Sequence, residues 1–287
     1  MIRAVSVVAV ALSLSSLAAA FVPPRPLGGT NVGYLTSTAT PELVETNAVA
    51  TENEIMWEPT EDYIEQTEMY KFMKSLDCDS YEQLWKYSVE KSDDFWPQLL
   101  NHVEIIYEGS TTPTKVGTRM PDVTYFPNVQ LNFAENLLKH GAPDSPLKDS
   151  EALVSVSEAR EDERWTFSEL REDSSRIRAA LQALGVTSED AVGAYMPNIA
   201  ETIIAMLGTT STGAVWSSVS PDFGPQAVAD RFQQINPKVL FVTNGFVSKA
   251  TPTSMVEKIE QLVDSLPSLQ KIVVVDLIEG APEWSND

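Results

Sequence analysis

A single cysteine, Cys78, stands among 287 residues. With one thiol, no intrachain disulfide can form, and no cysteine-based metal site or redox pair can be built. Cys78 lies in the polar stretch Asp77-Cys78-Asp79, where nothing activates a thiol, and it is read as incidental. Histidine is nearly as scarce. His102 and His140 lie far apart with no partner at ligand spacing, so no metal site is read. Basic residues are also few: 20 Lys and Arg face 41 Asp and Glu, a formal net charge of −21. Such a chain repels a phosphate backbone at long range, which argues against nucleic acid as a partner. The acidity is spread along the chain rather than gathered in a tail, so it reads as a solvated surface.

Several catalytic patterns are missing. There is no Gly-x-Gly-x-x-Gly and no Gly-x-x-x-x-Gly-Lys-Ser/Thr, so neither common nucleotide loop is assigned. There is no Gly-x-Ser-x-Gly elbow for a hydrolase nucleophile and no His-Glu-x-x-His. Paired carboxylates such as Asp93-Asp94 are plentiful, but in so acidic a chain they carry no specificity.

The N-terminus reads as an address. Met1-Ile2-Arg3 gives a positive start, Ala4 to Leu14 is an apolar run, and Ala18-Ala19-Ala20 fits a small-residue cleavage site. Residues 1–20 therefore read as a signal peptide. The run falls short of the roughly 20 apolar residues of a spanning helix, and no later stretch is long and uncharged enough, so stable membrane insertion is not expected. Phe21 follows the predicted cut and opens a stretch to residue 54, rich in Thr, Pro, Ala and Gly, that reads as a disordered, transit-like segment. Ser-Leu-Ala-Ala-Ala-Phe-Val-Pro resembles the bipartite presequences of algae with secondary plastids. A plastid or another endomembrane-derived compartment is the expected destination. Secretion is the rival, and the cytoplasm follows if the presequence does not function. There is no Asn-X-Ser/Thr acceptor and no cysteine framework, which leans towards an organelle.

Residues 55–140 read as a helical region. Tyr81, Leu84, Trp85 and Val89 approximate helical spacing after Ser80, a good N-cap. The aromatic set Trp57, Tyr63, Phe72, Tyr81, Trp85, Phe95 and Trp96, with Met69, reads as core packing. Gly109 to Met120 reads as a loop, and Asn132 to Leu138 as a short helix.

From residue 141 the pattern becomes α/β. Ala152–Val156, Ala191–Met196, Ala214–Ser218, Val239–Thr243 and Ile272–Val275 read as strands. Helices between them carry capping pairs, Thr166 with Glu169, Asn198 with Glu201 and Ser254 with Glu257, and end at Gly185 or Gly213. Pro225 suits a first helical turn. Val/Ile-rich strands separated by amphipathic helices predict an open, mostly parallel sheet with flanking helices, preceded by the helical N-terminal segment. Ligands in such sheets bind beyond the carboxyl ends of strands, so the loops after Met196, Ser218 and Thr243 are the places to look. The small, polar run Gly213 to Gly224 links a strand to a helix and would let a ligand approach backbone N–H groups, with Trp216 as a wall.

These pieces occur in a distinctive order: Trp57-Glu58-Pro59, Asp94-Phe95-Trp96, Tyr125-Phe126-Pro127, Leu131 to Leu138, Trp165 to Leu170, Tyr195-Met196-Pro197-Asn198, Gly213 to Gly224, Asp230-Arg231-Phe232 and Pro237 to Phe241. From Ile55 to Asp287 the chain resembles the acetoacetyl-CoA synthetases, a branch of the adenylate-forming ligases. The resemblance makes residues 141–287 part of an AMP-dependent ligase domain. The acetyl-CoA synthetases, by contrast, usually carry His where Trp216 stands and a Phe-Gly-Gly-type turn at Ser220-Pro221-Asp222.

The resemblance implies a whole enzyme that uses ATP, CoA and Mg²⁺ to join acetoacetate, or a similar short acid, to CoA through an acyl-adenylate. It places CoA against Ser220, Pro221 and Asp222, with Lys249 as a basic contact, and makes Trp216 a substrate-pocket residue. The family's Ser/Thr/Gly-rich phosphate loop ending in Pro-Lys occurs nowhere in the 287 residues, nor does its C-terminal catalytic Lys. No catalytic residue is therefore assigned, and the chain alone is expected to be inactive, as a truncated gene product or a short paralogue. Two alternatives stand: a ligase for another short-chain acid, and a non-catalytic paralogue that binds CoA or a partner. Homo-association through an uncovered sheet edge is a further expectation.

Overall fold

The computed structural model describes residues 6–9 and 55–280. Ser6–Ala9 is strand β1, the only described part of the apolar leader. The remainder of the predicted signal peptide and the transit-like segment 21–54 lie outside the described residues. The described residues divide into two units, one holding 55–104 with 114–123, the other holding β1, 105–113 and 124–280.

The smaller unit is helical, as its sequence predicts. It contains α1 (Glu61–Gln66), α2 (Glu68–Ser75), α3 (Tyr81–Glu90) and α4 (Ser92–His102). Thr60, Thr67 and Ser80 cap the first three, each accepting a first-turn N–H on its side-chain oxygen. The expectation that its aromatics form a core holds only in part. Phe72, Met73, Cys78 and Leu84 make the buried cluster, with Tyr87 and Phe95 at its border. Trp57, Tyr81 and Trp85 stay outside, 70%, 63% and 60% exposed. Short helices enclose one small interior, and Trp57 packs outside it, edge-on to Tyr63 with ring centres 6.0 Å apart. Cys78 is a buried member of this cluster.

The segment from Gly109 to Met120, read as a loop, contains parts of two short strands, β2 (Glu108–Ser110) and β3 (Lys115–Val116). Next come β4 (Thr124–Tyr125), β5 (Asn128–Gln130) and α5 (Phe133–Leu137), with Asn132 as the N-cap of α5. β2 pairs antiparallel with β5.

The α/β part follows. β6 (Glu151–Ser157) and β7 (Arg160–Thr166) form an antiparallel hairpin that is separate from the main sheet. This corrects the reading of residues 152–156 as a strand of the α/β alternation. β7 went unread because its first five residues are all charged, with no apolar period to mark a strand. Thr166 and Glu169 form the predicted capping box of α6 (Phe167–Ala183). β8 (Ala191–Tyr195), α7 (Ala200–Ser211), β9 (Val215–Val219), α8 (Pro225–Phe232) and β10 (Val239–Thr243) then alternate as expected, with Pro225 in the first turn of α8. An unforeseen hairpin, β11 (Gly245–Ser248) and β12 (Thr251–Ser254), precedes α9 (Val256–Val263) and β13 (Lys271–Val275).

Two predicted caps are corrected. The N-cap of α7 is Ile199 and that of α9 is Met255, each without a side-chain cap bond. Glu201 is not free to reach back to Asn198, because its carboxylate is taken by Arg160 at 2.6 and 2.7 Å. Ser254 accepts only from the next helical amide, Val256 N–H, at 3.3 Å.

The main sheet is parallel in every pairing, in the order β1-β13-β10-β8-β9. β8 and β10 are buried along their whole length, as a strand covered on both faces must be. Their side chains alternate between two cores. Leu240 and Val242 join Val228, Phe232, Ile259 and Leu262 under α8 and α9. Val239 and Phe241 join Leu181, Val192, Ala194 and Ala205 under α6 and α7. Each such Val, Leu, Ile or Phe contributes roughly 1.5–3 kcal/mol by leaving water. Gly208 of α7 fits because a Cβ there would lie 2.5 Å from the Ile177 side chain of α6.

Candidate functional site

The strand order fixes where a ligand can enter. From β8 the chain crosses over α7 to β9 on one side. From β9 it returns over α8 to β10 on the other side. With right-handed crossovers, α7 and α8 therefore cover opposite faces, and the loops leaving β8 and β10 diverge. Such a switch point leaves a crevice outside the carboxyl ends of the strands.

A cavity of about 380 Å³ lies there. Pro197, Asn198 and Ile199 after β8, Ser220, Pro221 and Asp222 after β9, and Phe246, Val247 and Ser248 after β10 line it. The end of β6 and its turn into β7, Val156 to Ala159, form another wall, and Leu277 completes the lining. All three loops picked from the sequence thus meet at one cavity.

The turn after β9 is held from several sides. Ser220 Oγ lies 3.1 Å from Asp222 Oδ2. Lys258 of α9 donates from Nζ to the Pro221 carbonyl at 2.9 Å. The hydroxyl of the fully buried Tyr195 donates to the Phe223 carbonyl. Burial, and then the Asp222 charge, push that hydroxyl above its ordinary pKa. The Arg231 guanidinium sits 4.5 Å from the centre of the Phe223 ring. Ser220 and Asp222 are exposed to the cavity side and Pro221 is buried.

The strand ends beneath are pinned by Asn244, which the sequence reading passed over. Its Oδ1 accepts from Leu277 N–H at 2.8 Å and Ile278 N–H at 3.1 Å, and its Nδ2 donates to the Ile278 carbonyl at 2.9 Å. A buried amide is stable only when its hydrogen bonds are made, and these tie the chain after β13 to the end of β10.

The hairpin wall is clamped to α7. Arg160 grips Glu201 with two parallel bonds, and its Nε lies 2.6 Å from Glu163. Burial works against the Arg160 charge, but the Glu201 bonds and both carboxylates outweigh it and hold the guanidinium above its ordinary pKa. Burial raises the pKa of Glu163, with Arg160 opposing.

The remaining predicted residues lie outside the lining. Trp216 on β9 is half-buried, its ring centre 6.1 Å from that of Phe241, on the face shared with α6 and α7. Lys249 is exposed at the tip of the β11–β12 hairpin, next to the lining residue Ser248. Among the described residues, no group of three or more His, Cys, Asp or Glu could hold a metal ion. Among the same residues, no helix is long and apolar enough to cross a membrane.

A doubly wound parallel sheet with a cavity at its switch point defines an α/β ligand-binding unit. Residues 141–286 match the family described as AMP-binding enzyme. The chain belongs to that family. It is 36% identical over 240 residues to the acetoacetyl-CoA synthetase of Macaca fascicularis, covering 80% of this chain and 34% of that protein. It is 37% identical over 225 residues to the acetoacetyl-coenzyme A synthetase of Rhizobium meliloti (strain 1021), covering 76% and 34%. The solved acetoacetyl-CoA synthetase from Streptomyces lividans superposes with a TM-score of 0.73 at 30% identity, covering 80% of this chain and 36% of that one. The chain thus spans about a third of the length of these relatives.

Proposed function

We propose that this chain forms the front part of an ATP-dependent acid–thiol ligase, joining acetoacetate to CoA with release of AMP and pyrophosphate. The observation that carries the reading is the run from Trp216 to Gly224. It bears the residues that liken the chain to acetoacetyl-CoA synthetases, and three of them line the switch-point cavity. ATP supplies the adenylate that turns the acid's carboxylate oxygen into a leaving group, and CoA supplies the thiol that displaces it.

The chain's own residues fit the CoA part of this chemistry. The Ser220 hydroxyl and the backbone of Ser220 to Asp222 offer hydrogen bonds beside the apolar Pro197, Ile199, Phe246 and Leu277. Such a lining suits an uncharged amide arm better than a phosphate. Lys249, exposed outside the cavity, would meet a phosphate at the rim in this proposal. The substrate-pocket role of Trp216 in this proposal rests on the resemblance alone, since it lies outside this cavity. The 287 residues hold no Ser/Thr/Gly-rich phosphate loop ending in Pro-Lys. The chain alone therefore binds and orients but does not adenylate.

The test is direct. The purified chain given acetoacetate and ATP should release no pyrophosphate, while calorimetry should detect CoA binding that Lys249→Ala weakens. Pyrophosphate release would overturn the inactive reading. Absence of CoA binding would remove the cavity from the proposal. For localisation, we propose that residues 1–50 direct the chain to a plastid or another endomembrane-derived compartment.

A further inference from the structure

We propose that a second cavity, between α5, α6 and the end of α7, binds a small phosphate ester that also carries hydroxyl groups. The inference goes beyond the ligase reading and does not rest on it.

The cavity measures about 310 Å³. One side of α6 forms a wall: Arg171, Ser174, Ser175 and Arg178 stand at i, i+3, i+4 and i+7 and share a helical face. Asn132 and Glu135 at the start of α5, and Ser211, the last residue of α7, line it as well. It shares no lining residue with the switch-point cavity. α7 runs between the two. Its N-cap Ile199 lines the first and Ser211 lines the second, about 18 Å apart by helical rise.

The charge here runs against the composition. In a chain of 20 basic and 41 acidic residues, two arginines share this lining with one carboxylate, Glu135. Arg171 is anchored through Nη1, which donates to the Leu138 carbonyl at 3.2 Å, and its other N–H groups are left for a ligand. Arg178 makes no hydrogen bond or ion pair among the described residues.

Ser174 points more sharply to a ligand. It lines the cavity, is 1% exposed, and its hydroxyl has no hydrogen-bond partner among the described residues. α6 and α7 approach closely at this level: a Cβ on Gly208 would lie 3.0 Å from the Ser174 carbonyl oxygen. That approach explains a small residue at 174. It does not explain a hydroxyl, since alanine would pack equally well without leaving a buried polar atom unpaired. An oxygen of a ligand in the cavity supplies the missing partner.

The lining also specifies the ligand. The guanidinium groups only donate, and they suit phosphate oxygens. Ser175 and Ser211 have given their protons to the Arg171 and Gly208 carbonyls, at 2.8 and 2.6 Å, so their oxygens are left to accept. Glu135 accepts too. A fitting ligand therefore brings both an anionic group and hydroxyl donors. Among the described residues the lining holds no aromatic ring on which a base could stack, which disfavours a nucleotide. A phosphorylated polyol matches these demands.

Calorimetry on the whole 287-residue chain would compare glycerol 3-phosphate, inorganic phosphate and glycerol, with CoA titrated in parallel. Glycerol 3-phosphate should bind more tightly than inorganic phosphate, and glycerol should give no measurable heat. Arg178→Ala should weaken glycerol 3-phosphate about tenfold or more, the scale of a charge-assisted bond. Ser174→Ala should weaken it about threefold to tenfold, the scale of one hydrogen bond, while the thermal midpoint holds or rises. A serine that served packing alone would shift the midpoint and leave the affinity unchanged. A wild type that binds neither phosphate would overturn the proposal. So would equal affinity for the two phosphates, or affinities that neither variant alters. CoA binding that both variants retain supports two separate sites, and CoA binding lost in step with glycerol 3-phosphate would sink the second one. If glycerol 3-phosphate binds and CoA does not, this site stands and the CoA reading of the other cavity falls.

Discussion

Single side chains decide much of the local behaviour, and Asp190 shows how. It precedes β8 and accepts the Thr187 N–H at 2.8 Å and the Lys238 ammonium at 3.1 Å. The Thr187 amide first, then Lys238, hold its carboxyl below the ordinary range, against burial. A depressed folded pKa means that the unfolded chain binds the proton more readily. Its stabilisation is fully present above the unfolded value, about 3.9, and is lost as pH falls through the folded one. Asp190→Asn should therefore lower the urea midpoint at neutral pH, and the gap to wild type should begin to narrow below about pH 4 and close as pH falls through the lowered folded value. A gap that persists unchanged in acid would assign the effect to something other than this charge. Lys258 and Asn244 belong to the same scale. Neither was legible beforehand, since a lysine inside a helix and an asparagine after a strand are ordinary in sequence. Only the arrival of Pro221 and Leu277 beside them gives them work.

Elements follow local rules wherever the sequence carries a strong local signal. The Thr166–Glu169 capping box both predicts and starts α6. Thr166→Ala should cost about 1 kcal/mol in chemical unfolding, the usual worth of such a cap. The parallel strands were legible from their Val and Ile runs, and Pro225 marked the start of α8. The two hairpins were not. β7 opens with Arg160-Glu161-Asp162-Glu163-Arg164, which no hydrophobic period distinguishes from a loop. β11 and β12 turn through Lys249-Ala250, which lacks the Asn or Gly that announces a tight hairpin. Asn198–Glu201 shows the reverse error. The spacing fits a cap, but Arg160 from a distant hairpin offers Glu201 a stronger, charge-assisted partner.

For the whole molecule, composition excluded disulfides, and net charge argued against a nucleic-acid partner. The leader is a claim at this scale. A fluorescent protein fused to residues 1–50 should enter a plastid or endomembrane-derived compartment, and a fusion that stays in the cytosol would sink that proposal. The sequence by itself determined the α/β class, the alternation of strands and helices from β8 to β10, and the family, because these depend on periodicities and motifs that adjacent residues carry. It also narrowed the search to the loops after β8, β9 and β10. Only the tertiary structure decided which side chains share the cavity. Glu158 meets Ala250, Lys258 meets Pro221, and Arg160 meets Glu201 across tens of residues. The physical reason is that strand order, not sequence distance, sets which loops converge. The order β13-β10-β8-β9 is a property of the packed sheet that no local pattern records.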